Sequence, residues 1–277
     1  MLDFLLDYDI QTHLTAFVLG SVRLMTFAIV APFMGNAVLN TTAKSALVLS
    51  LYLVVHPVVL ANLPATFPMT GSETVLMAGL IAKEVFIGFA LGWLSGLIFW
   101  AIESGGMFID NQRGASAANE TNYMSGTQST PTGAFLFHSC TYVFFASGTF
   151  LAFLGLLYST YEFWPVHEFL PSQFFLKEGA ALFFGERMAD LAVNMVLISA
   201  PVVLACLFTD ISLGLINRFA SQLNVYVLAM PIKSALSSFL LIFYFAVLMT
   251  DAPERVAAFA AVHYLAARAA RDGRIAG

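Results

Sequence analysis

Residues Glu103–Gly133 read ESGGMFIDNQRGASAANETNYMSGTQSTPTG, a polar stretch between two long apolar runs. Beyond Asp110 its large apolar side chains are Tyr123 and Met124 alone, so it cannot bury enough apolar surface to fold by itself. It also cannot lie in hydrocarbon, where each unpaired backbone group costs several kcal/mol. We therefore expect it in water or in a cavity made by protein, as a functional loop or a disordered surface loop.

The composition predicts a multi-pass membrane protein. Hydrophobic residues make up 59% of the 277 residues and charged residues only 10%, against about 25% charged in a soluble domain. A net charge of -5 argues against nucleic acid as a partner, because nucleic acid selects basic surfaces. No cleavable signal is predicted, since Asp3, Asp7 and Asp9 stand where its basic region belongs.

Six apolar runs approach the roughly 20 residues that a membrane-spanning helix needs. They are Leu14–Ala31, Ala46–Ala61, Val75–Ile102, Ala134–Tyr158, Leu191–Thr209 and Ala235–Met249. The sequence thus predicts an all-α fold of about six apolar helical segments in a single subunit, residues 1–277, with the polar loop at residues 103–133.

Two further stretches have a different character. Asp210–Lys233 mixes apolar residues at helical spacing with polar ones, which predicts a separate amphipathic piece or a re-entrant one. The tail at residues 252–277 contains the densest cluster of arginines, so we expect the C-terminus to be cytoplasmic. The side on which the N-terminus lies stays open.

The third apolar run contains two unusual features. Gly88, Gly92 and Gly96 recur at every fourth position and predict a seam where a second helix approaches closely, although membrane helices are rich in glycine in any case. Lys83 and Glu84 are adjacent and about 100° apart on a helix, so we expect that they do not both face one partner.

The sequence offers little sign of catalysis, and we expect no enzyme, cofactor or metal. It lacks the common hydrolase, nucleotide-binding and zinc motifs, and its five histidines are scattered over different segments. Charges inside the apolar runs are functional candidates by default, and here they are Arg23, Lys83, Glu84 and Asp190. They predict ion pairs between subunits or within the helix bundle, or else a proton relay, as in a proton-coupled secondary transporter.

Two motifs carry a resemblance to a known family. The first is Phe108–Gly114, FIDNQRG, and the second is Leu215–Val225, LINRFASQLNV, which continues into AMPIKS at Ala229–Ser234. Together they resemble the SctT/FliR family, the T subunit of the type III secretion export apparatus, in its injectisome branch. The resemblance covers nearly the whole chain.

The resemblance implies a subunit of a protein-export gate in the bacterial inner membrane. Its helices would form bent hairpins in a pseudo-helical assembly with R-type (FliP-like) and S-type (FliQ-like) subunits. The U-type (FlhB-like) switch and V-type export proteins would be further partners, and unfolded secreted polypeptides would pass through the channel.

In that family the loop between the third and fourth apolar runs forms part of the plug. On this chain we expect Gly105-Gly106 to be a hinge, Met107, Phe108 and Ile109 to seal the channel, and Asp110 with Arg113 to latch the loop to its neighbours. The predicted plug residues are Gly105, Gly106, Met107, Phe108, Ile109, Asp110, Gln112, Arg113 and Gly114.

The second motif predicts contact with other subunits. Its polar residues lie at near-helical spacing in an apolar setting and so need hydrogen-bond partners, either in another subunit or within an amphipathic turn. The predicted contact residues are Asn217, Arg218, Gln222, Asn224, Pro231 and Lys233.

Overall fold

The computed structural model describes residues 10–35, 38–63, 71–114, 120–121, 128–169, 179–219 and 227–250, and the described part is built mainly from seven helices. The predicted tail at residues 252–277 lies outside these residues. The helices are α1 Ile10–Val30, α2 Thr41–Asn62, α3 Gly71–Arg113, α4 Pro131–Ala146, α5 Thr149–Phe163, α6 Gly179–Phe219 and α7 Val227–Thr250. A 3-10 turn, Pro32–Met34, follows α1, and the two-residue strands β1 Glu120–Thr121 and β2 Gln128–Ser129 pair antiparallel between α3 and α4.

The all-α, multi-pass prediction is confirmed. Five of the described helices are long and apolar enough to cross a membrane, or six spans result if the bent pair α4 and α5 counts as one. These two helices meet at an angle of 75°. The bend turns at Gly148, whose φ of +74° suits a residue without a side chain.

The expectation of a separate amphipathic piece at Asp210–Lys233 is wrong for its first part. Asp210–Phe219 is the end of α6, which runs for 41 residues without interruption. The physical reason is local, because this stretch contains no proline and its one glycine, Gly214, is tolerated inside a helix. The end of the stretch, Val227–Lys233, belongs to α7.

The described residues divide into two compact units. The first consists of the chain up to Gly96 together with Leu151–Phe183, and its core contains a cluster of aromatic rings. Phe27 stacks on Phe153 with ring centroids 5.4 Å apart, and Phe33 meets the same ring edge-on at 6.0 Å.

In this first unit α3 packs on α1 at two of the predicted seam glycines. A Cβ at Gly88 would lie 2.4 Å from the carbonyl oxygen of Arg23, and one at Gly92 would lie 2.8 Å from the Cβ of Val30. Real Cβ atoms are not found at such distances, so only glycine permits this approach. Gly96 is buried, and its role in the seam stays a prediction.

The second unit consists of Leu97–Phe150 together with the chain from Phe184. Its core contains Ile109, Val202 and Cys206, against which Leu240 and Leu241 of α7 pack. A second cluster forms around Phe99, which meets Phe144 edge-on at 5.4 Å. The two ends of the polar stretch belong to this unit.

Candidate functional site

The polar stretch begins later than the sequence predicts. α3 continues through Glu103 to Arg113, so the predicted loop start at Glu103 is corrected to Gly114. The reason is packing, because Gly105 and Gly106 are buried against their neighbours rather than free to bend. A Cβ at Gly106 would lie 2.6 Å from the Cα of Gly133, and one at Gly105 would lie 3.0 Å from Ile198.

Asp110, Arg113 and Thr132 form a polar cluster that joins the end of α3 to the start of α4, and we call it the clasp. Asp110 is 0% exposed, and its carboxylate accepts hydrogen bonds from the Thr132 amide at 2.8 Å and the Thr132 hydroxyl at 2.6 Å. Arg113 Nη2 lies 2.6 Å from the same carboxylate and donates to Thr132 Oγ1 at 3.0 Å. The neighbour that Asp110 and Arg113 bind in this structure is Thr132, within the same chain.

The start of α4 explains why an anion is held there. Pro131 occupies the first turn, and Thr130 is the N-cap, whose hydroxyl accepts a hydrogen bond from Gly133 N at 3.3 Å. The Thr132 amide is another of the N–H groups left unpaired at a helix N-terminus, where the helix dipole favours negative charge. Asp110 supplies that charge from a different helix.

The remaining predicted plug residues differ in their surroundings. Ile109 is buried in the core of the second unit with Val202 and Cys206, so in this structure it packs within its own chain. Met107, Phe108 and Gln112 are half-buried. Gly114 ends α3 with φ +79° and its amide donates to Asn111 O, a backbone turn that favours glycine.

A second polar cluster lies in the first unit, and it contains three of the charges that the sequence singles out. Glu84 is fully buried and accepts from Arg23 Nε at 2.6 Å and Arg23 Nη2 at 3.0 Å, a bidentate pair. Arg23 also donates to Thr160 Oγ1 and Trp164 O, and its guanidinium lies 4.1 Å from the centroid of the Tyr161 ring.

Lys83 joins the same cluster, which the sequence did not predict. Its ammonium lies 2.7 Å from Glu84 Oε1 and donates to three backbone carbonyls just after α5, those of Pro165, Val166 and Glu168. The 100° between neighbours on a helix is overcome because the four-carbon lysine stem reaches around to its partner. Two cations therefore surround one carboxylate and hold the chain beyond α5 against α3.

Two of the five histidines also meet, although the sequence scatters them. His13 Nδ1 lies 3.1 Å from His56 Nε2, and the two rings stack at 5.2 Å between centroids. Tyr52 Oη lies 2.5 Å from the other nitrogen of His56. Within the part of the chain that the structure describes, no group of three or more His, Cys, Asp or Glu residues is arranged to hold a metal ion.

Comparison with known proteins identifies the family. The family described as "Bacterial export proteins, family 1" matches residues 14–258, which is most of the chain. The chain belongs to the SctT/FliR family of bacterial export proteins.

Several members are similar over nearly their whole length. The chain is 35% identical to "Yop proteins translocation protein T" of Yersinia pestis over 244 residues, which are 88% of this chain and 90% of that protein. It is 27% identical to "Surface presentation of antigens protein SpaR" of Salmonella typhimurium, covering 89% of each chain. It is also 27% identical to "Flagellar biosynthetic protein FliR" of Bacillus subtilis, covering 82% of this chain and 85% of that protein.

The contact residues predicted from the SctT/FliR resemblance are only partly described. Asn217 and Arg218 are exposed at the end of α6, and Pro231 is exposed in α7. Lys233 lies 3.0 Å from Asp210, so it has an ion-pair partner inside the chain. Gln222 and Asn224 lie outside the described residues.

The sequence missed Thr132 and Thr160, the two hydroxyls that complete the polar clusters of this SctT/FliR chain. Thr160 lies 137 residues from Arg23, and no local pattern connects them. Thr132 carries a weak signal, because Thr130-Pro131 is typical of a helix start and marks the amides that an anion would meet.

Proposed function

We propose that this chain is a core subunit of the type III protein-export gate, and that its polar segment Gly114–Thr130 helps to plug the channel for unfolded polypeptides. The observation that carries the proposal is the clasp. Because Asp110 and Arg113 of α3 bind Thr132 of α4, the polar segment leaves and re-enters the helical body at one fixed place. A polar strip tethered this way contains few large apolar side chains that could hold a passing chain.

Helix lengths support a place in a larger assembly. α6 has 41 residues and is about 60 Å long at 1.5 Å per residue, which is twice the roughly 30 Å of bilayer hydrocarbon. Yet it exposes large apolar side chains from Leu182 through to Phe219. Lipid cannot cover all of this face, so other protein chains are expected to cover the rest.

The names of the relatives support a place in a protein-export assembly. They are a Yop translocation protein, a protein for surface presentation of antigens and a flagellar biosynthetic protein. On this proposal the partners in the bacterial inner membrane are the R-type and S-type gate subunits, together with the U-type and V-type export proteins. The role is structural and gating rather than enzymatic.

The proton-coupled transporter is the alternative that the buried charges raised. Arg23 and Glu84 are fully buried, and Lys83 is bound by Glu84 and three carbonyls. Every charge in this cluster thus has a fixed partner that ties helices together. The arrangement favours a structural role for these residues.

Shortening the polar segment tests the proposed function. Replacing Gly114–Thr127 by a shorter linker leaves Asp110, Arg113 and Thr132 in place, so the variant is expected to assemble with the other gate subunits. Membrane vesicles that contain the assembled complex should then leak ions. An equal-length shuffled segment is the control and should remain sealed.

Conductance at background in the shortened, fully assembled variant would contradict the plug proposal. Recovery of the complex by co-purification establishes that assembly is intact. A self-sufficient single chain that binds a small solute would instead support the transporter.

A further inference from the structure

The Asp110 carboxylate of the clasp is fully buried, and its partners are one cation and two hydrogen-bond donors. Asp110 is 0% exposed and accepts from the amide and hydroxyl of Thr132 while Arg113 lies against it at 2.6 Å. A buried charge that loses such partners is strongly destabilising, so this contact is costly to open. These bonds connect residues 22 apart in sequence, one in the last turn of α3 and one in the first turn of α4.

Backbone packing directly before the clasp reinforces it. One turn before Asp110, Gly106 lies so close to Gly133 that a Cβ on Gly106 would be 2.6 Å from its Cα and 2.7 Å from its nitrogen. A Cβ on Gly133 would in turn lie 3.0 Å from the carbonyl oxygen of Glu103. The two helices thus touch backbone to backbone at Gly106 and Gly133.

Gly105 and Gly106 therefore do not have the surroundings of a hinge in this structure. Both are inside α3, and both are packed against other residues of the second unit. The backbone conformation that only glycine adopts easily occurs later, at Gly114, where φ is +79°. The packed end of α3 therefore includes the clasp and continues to Arg113.

We propose that Asp110, Arg113 and Thr132 are positioning residues that form a static anchor, which stays closed when the export gate opens. This inference rests on the proposed function and adds which contact is kept while the gate works. On this proposal the ends of α3 and α4 do not separate when the gate opens. If the clasp instead had to release during export, weakening it would favour the open gate. A weakened variant would then export as much as wild type or more.

The experiment compares Thr132→Val, Asp110→Asn and Thr132→Ser in the full chain, co-expressed with the other gate subunits. Thr132→Val keeps the shape and the amide but loses the hydroxyl that bonds the carboxylate, whereas Thr132→Ser keeps both groups. Losing a hydrogen bond to a charged group lowers the population of the closed anchor by about tenfold or more. Asp210→Asn is the matched control, because it removes an ion pair of the same unit whose carboxylate is 45% exposed.

Three quantities are measured, namely co-purification, ion leak at rest and export of a secreted polypeptide. For Thr132→Val and Asp110→Asn we expect assembled complexes that leak at rest and export several-fold less than wild type. Thr132→Ser and Asp210→Asn should behave as wild type. If Asp110→Asn fails to assemble because its site is buried, Thr132→Val decides the matter alone.

Unchanged or increased export in a leaking, assembled Thr132→Val variant would overturn the static anchor, since a releasing latch predicts it. Wild-type leak and export in Thr132→Val would overturn it as well. Failure of the plug proposal is recognised separately, because the assembled complex with the shortened polar segment would then not leak ions. The anchor is then still judged by whether export falls when Thr132 loses its hydroxyl.

Discussion

At the scale of single residues, two fully buried carboxylates are each held by several partners. Glu84 is placed between Arg23 and Lys83, and Asp110 is placed between Arg113 and a helix N-terminus. In both clusters the hydrogen-bonding capacity of the carboxylate is used by cations or N–H and O–H donors. Such a group is stabilising only while every partner is present.

Replacing Glu84 with Gln tests this at the first cluster. The change leaves two buried cations without their anion, so we expect the purified complex to lose about 3–5 kcal/mol of unfolding free energy. The matched control is Asp190→Asn, because Asp190 pairs with Arg187 at 2.8 Å but is 42% exposed. The control should cost about 0–1 kcal/mol.

Thermal unfolding of the detergent-extracted complex measures both variants. Equal losses for Glu84→Gln and Asp190→Asn would show that burial adds nothing to the value of the Glu84 ion pairs.

At the scale of helices, glycines form two of the contacts between neighbouring helices and allow those helices to approach closely. Gly88 and Gly92 place α3 against α1 in the first unit, and Gly106 with Gly133 places α3 against α4 in the second. In each case the atoms that a new side chain would meet include main-chain atoms, which cannot rotate away as a side chain can. Some other helical glycines have open space beside them, as at Gly155 in α5.

The pair Gly88→Ala and Gly155→Ala separates packing from helix propensity. At Gly88 the new methyl would meet the carbonyl oxygen of Arg23 at 2.4 Å, and we expect a loss of about 1–3 kcal/mol from overpacking. At Gly155 the new methyl has open space, so alanine should be neutral or stabilise by about 0.4–1 kcal/mol. Thermal stability in the same detergent is the measurement, and a Gly88→Ala variant as stable as wild type would contradict the seam.

At the scale of the whole molecule, the described helices expose many large apolar side chains, which lipid or other protein chains must cover. α7 is an example, with only 6% of its most apolar window buried inside the chain. Exposed aromatic and aliphatic residues also persist to the last residue of α6, Phe219. The exposed polar residues Asn217 and Arg218 stand next to this apolar end, an arrangement that favours a protein partner with hydrogen-bond acceptors.

Arg218→Ala should therefore weaken co-purification with the other gate subunits by several-fold, because an interface arginine is often among the residues that carry binding energy. Glu162→Ala, an exposed charge in α5 outside the predicted contact set, is the control and should leave recovery unchanged. Wild-type recovery of the complex with Arg218→Ala would remove this residue from the interface.

The sequence by itself determined the membrane class, the helical fold and the family. Hydropathy and glycine spacing are properties of neighbouring residues, and they need no knowledge of the rest of the chain. They locate the apolar helices and pick out Gly88, Gly92 and the charges within the apolar runs, and the FIDNQRG and LINRFASQLNV motifs indicate the family.

Only the tertiary structure decided which groups meet. The partner of Asp110 is Thr132, the acceptors for Lys83 are carbonyls more than 80 residues away, and the fourth apolar run breaks at Gly148 into two helices at 75°. The end of α3 also differs from the sequence prediction, since the helix continues to Arg113 where Gly105 and Gly106 are packed. The reason is physical, because a hydrogen bond depends on a few tenths of an ångström between distant segments, and that distance is set by how the helices pack.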